Sequence, residues 1–122
     1  MALTNRSRRC FHRVMSGLER GGEYRFLTLT STPESSPNIH RHFRALMMRL
    51  RRRGLVQGYI QVPEYTKSGL AHKHVLFRGS YVEQRLISEW WRDITGGAYV
   101  VDIRAVKNLK GKRAVASYMA KY

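Results

Sequence analysis

The chain has one cysteine, Cys10, among 122 residues. An internal disulfide is excluded, and a reducing compartment is the expectation. Cys10 itself is expected to behave as a small, partly buried apolar residue. No stretch approaches the roughly 18 consecutive apolar residues of a spanning helix. Residues Met1 to Arg9 lack the apolar run of a secretory signal. Acidic residues are scarce: 8 Asp and Glu stand against 23 Lys and Arg, a formal net charge of +15. A folded domain this basic is expected to meet a polyanion, nucleic acid ahead of a membrane surface. Internal repeats, low-complexity segments and linkers are also missing. What is present suffices for a core. A hydrophobic fraction of 43% excludes a disordered basic tail, and the length fits one domain.

The elements follow from periodicity and punctuation. Asn5 to Arg20 reads as a short basic helix with the apolar stripe Phe11, Val14, Met15 and Leu18, ended by Gly21-Gly22. Tyr24 to Ser31 reads as a strand. Leu27 and Leu29 look towards a core, while Phe26, Thr28 and Thr30 share the other face. Ser36-Pro37 starts a helix, with Ser as cap and Pro in the first turn. Ile39, Phe43, Leu46, Met47 and Leu50 then recur at helical spacing, Arg41, Arg44, Arg49, Arg51, Arg52 and Arg53 crowd the remainder, and Gly54 stops it. Leu55 to Glu64 and Ala71 to Phe77 are two strands whose short connection predicts an antiparallel hairpin. Ser80-Tyr-Val-Glu83 has the pattern of a capping box. It precedes a helix with Val82, Leu86, Ile87, Trp90, Trp91 and Ile94 that ends at Gly96-Gly97. Of the two tryptophans, one is expected to anchor the core and the other to flank it. Ala98 to Ala105 is a fourth strand, Asn108 to Lys112 a basic turn, and Arg113 to Tyr122 a final helix. The order predicts an α+β domain: an antiparallel sheet of βαββαβ (ferredoxin- or RRM-like) type with two helices on one face. Only the terminal helices remain to cover the face that carries Phe26, Thr28, Thr30 and the histidines.

The chemistry concentrates in Glu64…Gly69…His72-Lys73-His74. Residues two apart on a strand point the same way. His72 and His74 therefore aim both imidazoles at one point, and Glu64 arrives from the neighbouring strand. Two neutral imidazoles and a carboxylate form a donor set for a divalent metal with open positions for substrate. A bare His-x-His would more readily be two exposed sheet positions without a ligand; the carboxylate across a turn changes that balance. On the last helix Tyr118, Lys121 and Tyr122 fall on one face. An ammonium beside a phenol favours the phenolate, and a metal on a phosphate stabilises the charge that develops on attack. Alone, Tyr-x-x-Lys-Tyr is a weak match that any helix turn could produce.

Together these elements resemble the HUH endonucleases, in particular the rolling-circle replication initiators (Rep proteins) of small viruses, phages and plasmids. Phe26-Leu-Thr-Leu-Thr30 is similar to their first motif, Glu64…His72-Lys-His74 to the second, and Tyr118-Met-Ala-Lys121 to the third. The resemblance runs from Tyr24 to the last residue. It implies a site-specific nickase and ligase that starts rolling-circle replication. Tyr118 would attack a phosphate in single-stranded DNA at a hairpin-associated origin, keep the 5′ phosphate and free a 3′-OH. Glu64, His72 and His74 would hold Mg²⁺ or Mn²⁺, and manganese suits two imidazoles better. Lys121 would sit beside the tyrosine. Tyr122 has the Y-x-x-x-Y spacing of initiators with two nucleophiles, although a packing role fits it equally. Candidate DNA contacts are Phe26, Thr28, Thr30, Lys73, Arg41, Arg44, Lys110, Lys112 and Arg113. A host polymerase or helicase would be a further partner. The setting would be the cytoplasm of a prokaryotic host, or the nucleus for a eukaryotic virus.

Two departures from that pattern stand out. The position between the histidines is ordinarily hydrophobic there, and here it is Lys73, which is expected to snorkel past the sheet edge or to pack differently. Initiators of this kind normally continue beyond the helix in which this chain stops, so residues 1–122 are expected to be the N-terminal nuclease domain of a longer protein. A transposase or relaxase domain would share the fold and the tyrosine. A non-catalytic nucleic-acid-binding module would explain the charge but not the convergence of Glu64, His72, His74 and Tyr118.

Overall fold

The alternation in Tyr24–Leu29 (β1) sets the architecture. Leu27 and Leu29 are fully buried and Phe26 and Thr28 only partly, so the strand has a closed face and a more open one. The computed structural model describes residues 5–19, 23–106 and 109–121. The side chains of residues 7, 10, 17–19, 109, 110, 118 and 121 lie outside that description. The expectations for Cys10, Leu18 and Gly21-Gly22 therefore fall outside it too. β1 lies between β3 (Ala71–Gly79) and β4 (Val101–Ala105), and β2 (Val56–Tyr65) forms the far edge beside β3. All three pairings are antiparallel, which gives the predicted βαββαβ sheet in the order β2-β3-β1-β4.

Each sheet face has its own apolar cluster. Leu27, Leu29, Val75, Phe77 and Val101 pack with α2 (Ile39–Arg52) through Phe43, Leu46 and Leu50, and with α3 (Gln84–Thr95) through Ile87 and Trp91. Trp91 is the anchoring tryptophan: it has no exposed surface, and its Nε1 donates to the Thr30 carbonyl at 2.7 Å. Trp90 flanks the cluster. On the other face Leu76 and Val62 pack with Val14 and Met15 of α1 (Asn5–Glu19) and Ala116 and Met119 of α4 (Leu109–Lys121). The terminal helices thus cover the histidine face, as the element order implies.

Several boundaries differ from expectation, each for a local reason. Ser36 does not cap a helix. A single 3-10 turn, Ser36–Asn38, precedes α2, and the Ser36 hydroxyl instead accepts from the backbone N–H of Ala71 at 2.9 Å. The capping box does not form either. Ser80 bonds the Leu55 carbonyl through its N–H, Val82 is buried in the core, and α3 opens at Gln84 after an extended Glu83. β4 begins three residues later than expected because Ala98 is used at the end of α3, where its N–H donates to the Thr95 hydroxyl at 2.9 Å. α4 begins at Leu109, four residues early, and takes Gly111 into its first turns.

Gly79 is required by close approach: a Cβ there would run into the Leu55 carbonyl, a backbone atom that cannot rotate away. Gly79→Ala is expected to destabilise the fold by about 1–3 kcal/mol, the usual penalty of overpacking. An unchanged midpoint of denaturant unfolding would contradict this.

Candidate metal and nucleic-acid site

The register places the site residues side by side. Glu64 on β2 stands directly opposite His72 on β3, and His74 stands between Val62 on β2 and Thr28 on β1. Tight turning makes this possible: Gly69 takes the positive φ of 86° that the hairpin needs, a conformation that favours glycine. Glu64 Oε1 lies 2.9 Å from His74 Nε2 and 4.0 Å from His72 Nδ1. On its other side His74 Nδ1 is 3.4 Å from the Thr28 hydroxyl, and the Phe26 ring lies parallel to the imidazole with centroids 6.0 Å apart. His74 is buried at 3% exposure, whereas His72 and Glu64 keep an opening to solvent.

Second contacts hold the first. β1 ends before it reaches Ala71, which leaves that stretch of β3 without a strand on one side. The Ser31 hydroxyl donates to the Ala71 carbonyl at 2.6 Å, and Ser36 accepts from its N–H. Two hydroxyls thus replace the missing strand next to His72. Sequence reading gives neither serine this role: Ser31 reads as the end of a strand and Ser36 as a helix cap, and only the tertiary fold brings them to β3.

The electrostatics keep His72 available as a ligand. Burial, the largest influence, lowers its pKa below the ordinary value of 6.5; Glu64 raises it in part and His74 lowers it further. The neutral imidazole, with a free lone pair, is therefore favoured near pH 7. Among the described residues no three His, Cys, Asp or Glu side chains stand in ready metal-binding geometry. The donor chemistry nevertheless fits a divalent cation. Metal–ligand distances of about 2.0–2.1 Å put adjacent octahedral ligands about 3 Å apart. The Glu64–His74 contact of 2.9 Å matches such an edge, and His72 Nδ1 stands 4.0 Å from the same carboxylate oxygen. The Thr28 hydroxyl is placed to accept an Nδ1–H of His74, which would leave Nε2 as the ligand atom.

A cleft of about 560 Å³ opens beside Phe26 and Thr28, walled by Asp102, Arg104 and Val106 on the β4 side and by Gly111, Ala114 and Val115 of α4. Asp102 pairs with Thr28 across the sheet and binds Arg104 Nε at 2.8 Å. α4 itself packs on this sheet face, since its Ala116 and Met119 join the cluster that includes Val62 and Leu76. The side chains of Tyr118, Lys121 and Lys110, and all of Tyr122, lie outside the described residues.

The remaining candidates divide. Phe26 and Thr28 line the site. The Thr30 hydroxyl is engaged, donating to the Val100 carbonyl at 2.7 Å. Lys112 is half-buried and Arg113 exposed on α4, whereas Arg41 and Arg44 project from α2 on the opposite side of the sheet. Lys73 requires a correction. It neither snorkels nor reaches a surface where DNA could meet it. It is 4% exposed on the α2 side, 2.8 Å from Gln61 Oε1 and 3.3 Å from His40 Nδ1, with its ammonium over the Phe43 ring. Alternation on β3 sends the residue between two site-facing histidines into the opposite core, and burial lowers its pKa from 10.5. Lys73→Met is expected to leave DNA affinity unchanged. Stability should be unchanged or higher by about 1 kcal/mol, since apolar volume often replaces a buried charge without loss. Weaker DNA binding in an anisotropy titration would restore Lys73 as a contact.

Residues 24–122 match the family model of the replication-associated protein ORF2, and the chain belongs to that family. Its role is accordingly related to replication. Among solved structures it is similar to the hypothetical protein ORF119 from Sulfolobus islandicus rod-shaped virus 1, with 17% sequence identity, a TM-score of 0.65 and 90% of each chain covered. At that identity the likeness shows the fold alone. No curated protein gives a significant match. No helix among the described residues is long and apolar enough to cross a membrane.

Proposed function

We propose that the protein is an HUH-type nickase and strand transferase that initiates rolling-circle replication on single-stranded DNA. The observation that carries this reading is the convergence of Glu64, His72 and His74 on one sheet face, with the helix bearing position 118 docked over that same face. Glu64, His72 and His74 would hold Mn²⁺ or Mg²⁺. When bound, the ion would supply positive charge for a scissile phosphate. The Tyr118 hydroxyl attacks the phosphorus, a Tyr–O–P bond forms, and the bond to the 3′ oxygen breaks. The phenolic proton is lost and the departing oxygen gains one, which leaves a 3′-OH. Attack of a 3′-OH on the phosphotyrosine reverses the step and joins strands. Thr28 orients His74, and Phe26 with the adjoining cleft receives the strand. Lys121 favours the phenolate, and Tyr122 is a candidate for a second round.

Labelled single-stranded DNA containing an origin sequence, incubated with Mn²⁺ and run on a denaturing protein gel, tests this. A covalent adduct that disappears with chelator supports it. Binding without any adduct on the correct origin would favour a non-catalytic binding module.

A further inference from the structure

A dense run of positive charge lies on the side of the sheet away from the histidines. α2 carries Arg41, Arg44, Arg49, Arg51 and Arg52 with no acidic residue, and Arg53 caps its end. The apolar side of this helix is buried against the sheet, so its arginine side faces outward. Like charges three and four apart destabilise a helix. A merely solvated face is expected to interleave acids, and α3 does so: its Arg85 stands 3.4 Å from Glu83 and 3.9 Å from Glu89. Among the described residues none of the six arginines of α2 and its cap takes part in a salt bridge.

Half of this charge is braced. The guanidinium groups of Arg49 and Arg53 lie over the Trp90 ring, 5.8 and 4.8 Å from its centroid, and Arg51 lies 5.1 Å from that of Tyr59. Stacking holds these side chains in place and lowers the entropy lost when an anion is bound. Arg41, Arg44 and Arg52 are exposed and spread along the helix over about 16 Å. The partner's chemistry follows from what the ridge does not offer. Non-specific single-strand binding uses free aromatic faces for base stacking, and here the rings of Trp90 and Tyr59 are occupied by arginines. Met48 is the exposed large apolar residue on the helix. A surface of positive charge without a stacking platform suits the regular phosphates of a duplex.

We propose that the outer face of α2 is a docking ridge for the phosphate backbone of double-stranded DNA, so that duplex binds on the opposite side of the sheet from the histidine cleft. This goes beyond strand cleavage and does not require it. The test is fluorescence anisotropy with a short random-sequence duplex across a salt series, with chelator present and on the Tyr118→Phe background, so that failure of the nuclease reading leaves it unaffected. The triple variant Arg41→Gln/Arg44→Gln/Arg52→Gln alters only exposed side chains. It is expected to lose at least about tenfold in duplex affinity and to flatten the slope of log K against log salt by about 2–3, at about 0.9 per phosphate contact. Lysine at the same positions should restore the slope. Affinity for a single-stranded oligonucleotide should fall much less than that for the duplex, since the ridge offers no free aromatic face for base stacking. An unchanged duplex slope, or an equal loss of single-strand binding, would overturn the proposal.

Discussion

His74→Gln is expected to lower Mn²⁺ affinity by at least about 100-fold, since even residues that only support a metal ligand cost about 10–100-fold when removed. Glutamine keeps most of the volume and a polar group towards Glu64, so loss of binding would report the imidazole and not a collapsed core. His74 is the least exposed member of the set, fixed by Glu64 at 2.9 Å and Thr28 at 3.4 Å. Thr28→Val should cost about tenfold by releasing the ring. Isothermal titration with Mn²⁺ measures both, and wild-type affinity in His74→Gln would show that His74 holds no metal. The pH dependence has a definite sign. Metal ligation by His72, as proposed, needs its neutral form, and burial lowers its pKa from 6.5. Affinity should therefore hold above about pH 6.5 and fall as acid protonates the ring. Stability follows the same direction. His72 and His42 both have lowered pKa values, mainly through burial and, for His42, secondarily through Arg41. The unfolded chain takes up these protons first, so their contribution is complete above about 6.5 and is lost as pH falls through the folded values.

Tyr118→Phe is expected to abolish the covalent adduct and to reduce strand cleavage by about 10⁴-fold or more, the scale on which loss of a nucleophile is felt. Metal affinity and DNA binding should be retained, because the phenol oxygen is assigned to bond formation and not to ligation. That separation distinguishes a nucleophile from a packing residue, whose loss would first appear in stability. Tyr122→Phe, measured in parallel, should leave the first cleavage intact. Loss of only a second successive cleavage would give Tyr122 the second-nucleophile role, and no effect at all would leave it as a packing residue.

Much of this fold is legible in the sequence because few readings compete. Val75-Leu-Phe77 after His-x-His reads as a strand, and with a short turn between Glu64 and His72 a cross-strand pairing is the expectation, as observed. Leu27 and Leu29 against Phe26 and Thr28 predict two different sheet faces, and both exist. What is not legible depends on partners distant in the chain. Lys73 looks like a basic residue near a nucleic-acid site; its burial is intelligible only when Gln61 and His40 are seen around it. Ser36 has every mark of a helix cap, yet it serves Ala71, 35 residues away. Ser80 to Glu83 fits a capping pattern but stays outside the helix, with Val82 buried in the core and Glu83 extended. Local propensity is overridden in each case by tertiary contacts.

If a tyrosine on α4 captures the DNA phosphate over the histidine-bearing face, the covalent bond will identify it. Proteolysis of the adduct formed with origin DNA and Mn²⁺, followed by mass spectrometry of the DNA-linked peptide, tests it most directly. The expected result is a phosphodiester on Tyr118 within Ala114–Tyr122 and none when Mn²⁺ is chelated. A linkage on any residue outside that segment, or cleavage of the correct origin with no protein–DNA bond, would contradict it.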